Sequence, residues 1–212
     1  MNAKKEEDGA LRLDEADAGR AEFYALLARL FYAAPDPALL TAIADAGMAD
    51  GGFAARPTEG APLAASMRML AAASRAMDAE AARDEYDSVF IGTGRAEITP
   101  YASYYLGRSA PERVLVKLRA ELAAMGLGRK HGALEPEDHL AALCDVMRYL
   151  VLRGNQDVAL QQQKIFFNEY IAAWYAEFCV SVAASSKTNF YKHVATFTQA
   201  FLDVEAEAFE LS

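Results

Sequence analysis

At 212 residues the chain is long for one ordinary domain and short for two independent ones, so we expect one elaborated domain or two dependent lobes. Hydrophobic residues make up 53% of it and charged residues 24%, which is typical of a globular protein and excludes the class of disordered proteins. The net charge of -9 disfavours nucleic acid as a partner, since that affinity comes largely from clustered Lys and Arg. The same charge suits a basic peptide ligand as well as it suits simple solubility.

Residues that carry chemistry are few and scattered. Cys144 and Cys179 both fall in apolar helical patterns, which favours buried thiols in a reducing compartment over a disulfide scaffold. The three histidines lie in different segments, and the sequence contains no C-x-x-C, H-E-x-x-H, G-x-S-x-G or P-loop motif. We therefore expect no metal, no cofactor and no catalytic residues.

The N-terminal residues are charged and no apolar stretch follows them. Residues 1–12 include the run KKEED, without the hydrophobic region of a signal peptide behind it. A run of ~18 apolar residues, enough to span a membrane, does not occur in the sequence. We expect a disordered terminus, no transmembrane segment and a cytoplasmic protein.

The first helix is indicated by apolar residues at helical spacing and is predicted to end near Ala34. Its apolar face comprises Phe23, Leu26, Leu27, Leu30 and Phe31. Asp36 is the expected N-cap of a short second helix, with Pro37 at its first position and Gly47 at its end. A Gly/Pro-rich loop is predicted over residues 48–61.

An Ala-rich stretch from Leu63 to about Ile91 predicts one or two helices, broken near Asp78. Between Gly92 and Gly107 the helical period lapses, and Gly, Pro and closely spaced Tyr take its place. This segment is predicted to be an ordered aromatic loop or a set of short turns.

Ser109 and Glu112 match a capping box, S-x-x-E, and predict the start of another helix. A glycine-rich connection follows it, with Gly126, Gly128 and Gly132. We expect a hinge at residues 129–138, between an N-terminal helical lobe of residues 13–128 and a C-terminal helical lobe of residues 139–212.

Beyond the hinge, Pro136 is expected at the first position of a helix that Gly154 ends. Its apolar face comprises Leu140, Leu143, Cys144, Met147, Leu150 and Val151. Further helices are predicted over residues 157–184, with a break near Asn168, and over residues 188–209. The sequence shows no strand pattern, so we predict an all-α fold with about eight to eleven helices.

The run Glu135-Pro136-Glu137-Asp138-His139 gathers three carboxylates and an imidazole beside the hinge. Acids in a first helical turn are favoured by the free amides and the helix dipole, by ~0.3 to 1 kcal/mol each, so the run needs no ligand to explain it. The alternative is a binding site, since a charged histidine is disfavoured there and would need a polar partner. We expect Asp138 and His139 at a helix end, away from the apolar face, where the loss of both side chains costs about 1 kcal/mol in stability.

Three motifs occur in a fixed order along the chain. The first two, Y-x-x-L-F-x-G and P-[WY]-x-S-x-Y, are matched by Tyr86, Val89, Phe90, Gly92, Pro100, Tyr101, Ser103 and Tyr105, with Val89 in place of the commoner leucine. The third, E-P-x-D-H, is matched by Glu135 to His139. C-terminal matches are Trp174, Phe178, Phe190, Tyr191, Phe201 and Glu205. From Phe23 to Phe209 the sequence thus resembles the TorD/DmsD/NarJ family of redox-enzyme maturation chaperones.

The resemblance implies a TorD-like helical bundle with a larger N-terminal and a smaller C-terminal lobe. It also implies a chaperone that binds the twin-arginine leader peptide of a molybdenum-containing oxidoreductase before Tat export. The partners would be that leader and the apo-form of the molybdoenzyme catalytic subunit. The peptide-binding residues that the resemblance implies are Tyr86, Phe90, Pro100, Tyr101, Ser103, Glu135, Pro136, Glu137, Asp138 and His139.

The polar end of such a leader is expected at Asp138 and His139, because guanidinium groups seek carboxylates in bidentate geometry. Glu135 and Glu137 would give electrostatic support. The apolar stretch of the leader requires a hydrophobic groove with a polar rim.

An apolar wall for that groove is expected from Phe90, Pro100 and Tyr101. Pro100 and Tyr101 lie in a loop, which favours exposure. Tyr86 and Phe90 suit a helix core as well as they suit a groove.

A helical scaffold that binds another protein's amphipathic segment is the alternative function. The hinge glycines also permit a homodimer formed by exchange of the C-terminal lobe. The motifs leave the client open among formate dehydrogenase and the reductases of dimethyl sulfoxide, trimethylamine oxide and nitrate.

Overall fold

The computed structural model describes residues 15–46, 61–107, 109–129, 132, 135–153 and 157–211. Over these residues the chain is all-α, as predicted, with ten α-helices, one π-helical segment and no strand. In chain order the elements are α1 Glu15–Tyr32, α2 Pro37–Ala46, α3 Ala61–Ala76, α4 Ala79–Tyr86, the π-helical segment Asp87–Ile91, α5 Ala102–Leu106, α6 Pro111–Ala124, α7 Leu140–Leu152, α8 Asp157–Tyr170, α9 Tyr175–Ala184 and α10 Tyr191–Leu211. The predicted disordered terminus, the loop after α2 and the predicted end residues Gly47 and Gly154 lie outside the described residues.

The predicted start of α2 and the predicted break near Asp78 are both confirmed, and both depend on local contacts. The Asp36 carboxylate accepts a hydrogen bond from the Leu39 amide at 2.7 Å, and Pro37 is the first residue of α2. Asp78 accepts from the amides of Glu80 and Ala81, at 2.9 and 3.2 Å, and so caps α4. A capping aspartate satisfies amides that lack a partner within their own helix.

Two other predicted starts are wrong. The capping box at Ser109 does not form, because α6 begins at Pro111 and its N-cap residue, Ala110, makes no side-chain capping bond. Pro136 does not open a helix either, since α7 begins four residues later, at Leu140, with His139 as its N-cap. The His139 amide donates to the Pro136 carbonyl at 3.2 Å, which closes a turn before the helix.

The C-terminal helices also differ in their limits. The predicted break near Asn168 lies instead at residues 171–174, where the amides of Ile171 and Ala172 both donate to the Phe167 carbonyl at 2.9 Å. Because two amides share one carbonyl, the regular series of i to i−4 hydrogen bonds is interrupted and α8 ends. The last helix begins at Tyr191, three residues after the predicted start.

The loop after the π-helical segment folds back on it. Gly92 ends the segment with a φ of 67°, and a β-carbon at this position would lie 2.0 Å from the Arg95 carbonyl oxygen. Only glycine fits such a close approach. The Val89 carbonyl then accepts from the amides of Glu97 and Ile98, at 3.0 and 3.1 Å. This fixes the start of the aromatic segment that leads to α5.

The core joins helices from both sides of the predicted hinge. Helix α1 packs on α7, and α10 packs on α3 and α9. Phe31 meets the Phe178 ring edge-on at 5.3 Å and the Phe90 ring at 6.0 Å. Such aromatic pairs contribute about 0.5–1.5 kcal/mol each beyond the area they bury. The lobe boundary at 129–138 stays a prediction.

A buried polar cluster links α1 to α10. The Arg20 guanidinium donates to both carboxylate oxygens of Glu205, at 2.7 and 2.8 Å, in a bidentate pair. It also donates to Asp17 at 2.7 Å and to Gln163 at 2.9 Å, and the Tyr24 hydroxyl donates to Glu205 at 2.8 Å. Because the Glu205 carboxylate is nearly fully buried, its partners are needed to offset the loss of solvation.

Within the described part of the chain, no helix has both the length and the apolar character needed to cross a membrane.

Candidate functional site

Two of the sequence motifs meet through their main chains. The Ala102 amide donates to the Asp138 carbonyl at 2.9 Å, and the Leu140 amide donates to the Pro100 carbonyl at 2.8 Å. Between these bonds Tyr101 and His139 form an isolated antiparallel bridge. We call residues 100–103 and 135–139 together the motif pair. Segments far apart in sequence thus form one joined unit, which the sequence motifs alone do not reveal.

Asp138 is the buried centre of the motif pair. Its side chain is fully shielded, and Oδ2 accepts a hydrogen bond from the Ser103 amide at 2.9 Å, near the start of α5. The other oxygen, Oδ1, is buried and has no hydrogen-bond partner in the described structure. The expectation that Asp138 lies in the first turn of a helix is therefore wrong, because the residue lies before α7 and between two segments.

His139 is buried as well, with 3% of its surface exposed. Its Nδ1 accepts a hydrogen bond from the Ala141 amide at 3.1 Å, so the ring caps α7 in its neutral form, with the proton on Nε2. Burial lowers the pKa of His139, although the carboxylates of Glu135 and Asp138 act in the opposite direction. The Tyr101 ring meets the imidazole edge-on at 5.0 Å.

The two glutamates of the motif pair already have partners. The Tyr101 hydroxyl donates a short hydrogen bond to Glu135, and burial, followed by this bond, raises the pKa of Tyr101. Glu137 accepts from Arg119 at 3.0 Å, which lowers the pKa of Glu137. Asp138 differs from them in having a buried carboxylate oxygen, Oδ1, with no described hydrogen-bond partner.

The other implied binding residues are largely core. The Tyr86 hydroxyl donates to the carbonyls of Phe31 and Tyr32, each at 3.0 Å, and burial raises the pKa of Tyr86 to about 12. Phe90 packs against aromatic rings of the core and is 6% exposed. Pro100 is buried too, against the expectation of exposure, because its carbonyl holds the start of α7. Of the expected apolar wall, Tyr101 is half-buried and lines a cleft.

Two clefts flank the motif pair, and Pro136 lines both. One, of about 620 Å³, is the aromatic cleft; its lining includes Tyr101, Ser103, Tyr104, Tyr105, Asp138 and Glu177. The other, of about 540 Å³, is the apolar cleft; its lining includes Tyr32, Leu122, Leu127, Ala142, Val146 and Tyr149. The lining of the apolar cleft also includes charged residues, which are Arg29, Arg129, Glu135, Glu137 and Asp145. The motif pair is therefore a wall between a cleft lined by tyrosines and two carboxylates and a cleft lined by aliphatic and charged side chains.

Sequence reasoning missed several residues of these clefts. Tyr104 and Tyr105 lie in the predicted aromatic loop, but no pattern there indicated which ring would face a cleft. Tyr105 stacks on Trp174 at 4.8 Å, and Glu177 follows that tryptophan at the start of α9. The W-x-x-x-F pattern places Glu177 near this aromatic contact, and that was the one available signal.

The sequence matches known proteins over its central part. The model of the family described as nitrate reductase delta subunit matches residues 57–180, more than half of the chain. A TorD chaperone of Photobacterium profundum is 25% identical over 131 residues, covering 58% of this chain and 61% of the relative. A TorD chaperone of Shewanella loihica is 27% identical, covering 58% and 60%. The chain thus spans about three fifths of the length of the curated relatives it matches.

The fold also has a solved counterpart. A crystal structure from Archaeoglobus fulgidus, of a protein assigned to redox enzyme maturation, superimposes with a TM-score of 0.55. The superposition covers 94% of this chain and 99% of the other, at 21% identity, which shows a shared fold. The match of the family model over residues 57–180 shows that the chain belongs to the nitrate reductase delta subunit family, the family of TorD- and NarJ-like proteins.

Proposed function

We propose that the chain is a cytoplasmic maturation chaperone, not an enzyme, which binds the twin-arginine leader peptide of a molybdenum-containing oxidoreductase before Tat export. The observation that carries the proposal is the motif pair, which forms a wall between two clefts of different chemistry. The names of the TorD relatives as chaperones support the same function.

The chemistry of the ligand fits this wall. A twin-arginine leader combines guanidinium groups with an apolar stretch. The apolar cleft offers side chains such as Leu122, Leu127 and Val146 to the apolar stretch, as in other grooves that bind amphipathic segments. Carboxylates on both sides of the wall suit the guanidinium groups, and the net charge of -9 favours a basic ligand generally.

Calorimetric titration with synthetic leaders tests the proposal. Twin-arginine leaders of molybdoenzymes from the same genome should bind with a one-to-one stoichiometry. Peptides of the same composition in scrambled order are the control, and they should bind at least about tenfold more weakly. Equal binding of leaders and scrambled peptides would favour the alternative, a general binder of amphipathic segments, and failure of every leader to bind would overturn the proposal.

A further inference from the structure

The aromatic cleft contains an unsatisfied anion. Asp138 lines this cleft, its side chain is fully buried, and its Oδ1 has no hydrogen-bond partner among the described residues. A buried carboxylate oxygen without a donor is costly, and native structures usually supply a donor from protein, water or ligand. The motif pair therefore contains a hydrogen-bond acceptor, Asp138 Oδ1, to which a ligand in the cleft can donate.

The rest of the aromatic cleft suits a cation. Glu177 adds a second carboxylate, and none of the described residues that line the cleft is Lys, Arg or His. The Tyr105 face is occupied by Trp174, whereas Tyr104 meets Tyr105 edge-on at 5.0 Å and is 55% exposed. Glu177 lines the same cleft as Tyr104 and Tyr105, and after burial its carboxylate is the next cause that raises the pKa of the Tyr105 hydroxyl. An exposed tyrosine face together with carboxylates is the usual environment of a bound guanidinium.

The apolar cleft offers a poorer site for such a group. Two of its carboxylates, Glu135 and Glu137, already accept hydrogen bonds from Tyr101 and Arg119. Arg29 and Arg129 also line that cleft and repel a further cation. Since Pro136 lines both clefts, one extended ligand can cross it and place different groups on its two sides.

From these observations we propose a division of the ligand between the clefts, which rests on the proposed function. An arginine of the leader enters the aromatic cleft, where its guanidinium donates to Asp138 Oδ1 and Glu177 and stacks on Tyr104. The apolar stretch of the leader crosses Pro136 and lies in the apolar cleft. Glu177 and Tyr104 are thereby specificity-determining residues for arginine.

A double-mutant cycle between protein and peptide tests this assignment. The peptides are a twin-arginine leader and the same leader with both arginines replaced by citrulline, which keeps the shape and removes the charge. Glu177→Gln should weaken binding of the arginine leader by about fivefold and change binding of the citrulline leader by less than about twofold. Tyr104→Leu should act in the same direction, because it removes the ring but keeps an apolar side chain.

Two matched variants control for charge and for the other cleft. Glu210→Gln changes the net charge equally, but Glu210 is exposed near the end of α10 and lines neither cleft. Asp145→Asn removes a carboxylate from the apolar cleft. For each control substitution, the change in affinity for the arginine leader and the change in affinity for the citrulline leader should differ by no more than about twofold.

Each outcome has a distinct meaning. Coupling of arginine to Glu177 and Tyr104 supports the assignment. Coupling of arginine to Asp145 instead overturns the assignment and leaves the proposed function intact. The same holds if arginine couples to no cleft residue while the leader still binds. In both cases the donor to Asp138 Oδ1 is a water molecule. If the unmodified chain binds no leader at all, both the function and the assignment fail.

Discussion

His139 holds the start of α7 through a ring nitrogen that must stay unprotonated. Its Nδ1 accepts from the Ala141 amide, so protonation there would replace an acceptor by a donor and break the cap. The sequence indicated that this histidine needed a polar partner, and it did not indicate a backbone amide as that partner. The position of His139 before the helix depends on the bond from Leu140 to Pro100, which sequence periodicity cannot report.

The first prediction concerns pH. Because the folded pKa of His139 is lowered from 6.5, the unfolded chain binds the proton more readily. The stability that neutral His139 contributes is therefore present above about pH 6.5 and is lost as the pH falls through that value toward the folded pKa. Urea unfolding should show that wild type loses more stability between pH 7.5 and 5.5 than His139→Asn, which can cap without titrating. Parallel losses would contradict the prediction; His193, which also has a lowered pKa, is common to both proteins.

The second prediction concerns Asp138. Asp138→Ala with His139→Ala leaves the part-buried Ser103 amide and the buried Ala141 amide without their side-chain acceptors, so we expect a loss of about 2–4 kcal/mol in unfolding free energy. This exceeds the loss of about 1 kcal/mol that is expected from a weakened helix end alone. Asp138→Asn keeps an acceptor for Ser103, and its stability should change by no more than about 1 kcal/mol while leader affinity falls at least about tenfold. An Asn variant that binds leader as wild type does would restrict Asp138 to a structural role.

At the scale of elements, helix limits that depend on contacts close in sequence were predicted better than those that depend on contacts with distant residues. The cap at Asp36 and the break near Asp78, where that aspartate caps α4, were predicted correctly from the sequence. The start of α10 was not, because its cap comes from another helix: Glu85 on α4 accepts from the amides of Phe190 and Tyr191, at 3.0 and 2.6 Å. A cap supplied from 105 residues away leaves no local pattern.

The third prediction tests this cap between helices. Glu85→Gln replaces one acceptor by an amide group that faces a backbone donor, so we expect a loss of about 2–3 kcal/mol in unfolding free energy. Asp84→Asn, an exposed change on the same helix, should stay within about 0.5 kcal/mol. Denaturant unfolding of both variants measures the difference. Similar values for the two variants would show that α10 does not depend on Glu85.

At the scale of the whole molecule, composition and periodicity were enough to predict an all-α protein with about eight to eleven helices, a range that includes the ten α-helices found in the described residues. They did not predict how helices on the two sides of the proposed hinge combine. Helix α1 lies on α7, and Arg20 on α1 is bound to Glu205 on α10. A C-terminal lobe that exchanged between two protomers would have to break both contacts and form them again in the dimer.

The fourth prediction follows from that exchange. Refolding at high protein concentration should increase a dimer that returns to monomer slowly, because separation of the lobes exposes the buried helix contacts. Size-exclusion chromatography before and after mild denaturation, at two protein concentrations, measures the populations. A single species that is unchanged under all these conditions would count against lobe exchange.

The central claim is that a twin-arginine leader binds across the motif pair, and photo-crosslinking tests it most directly. One leader would carry a benzophenone residue directly after the arginine pair and a second leader would carry it in the apolar stretch, with crosslinked peptides identified by mass spectrometry. We expect the first label to react with the aromatic cleft, at α5 or the start of α9, and the second with the apolar cleft, at α6 or around Val146 on α7. Crosslinks from both labels to α2 and α3, which supply no lining residue to either cleft, would contradict the claim.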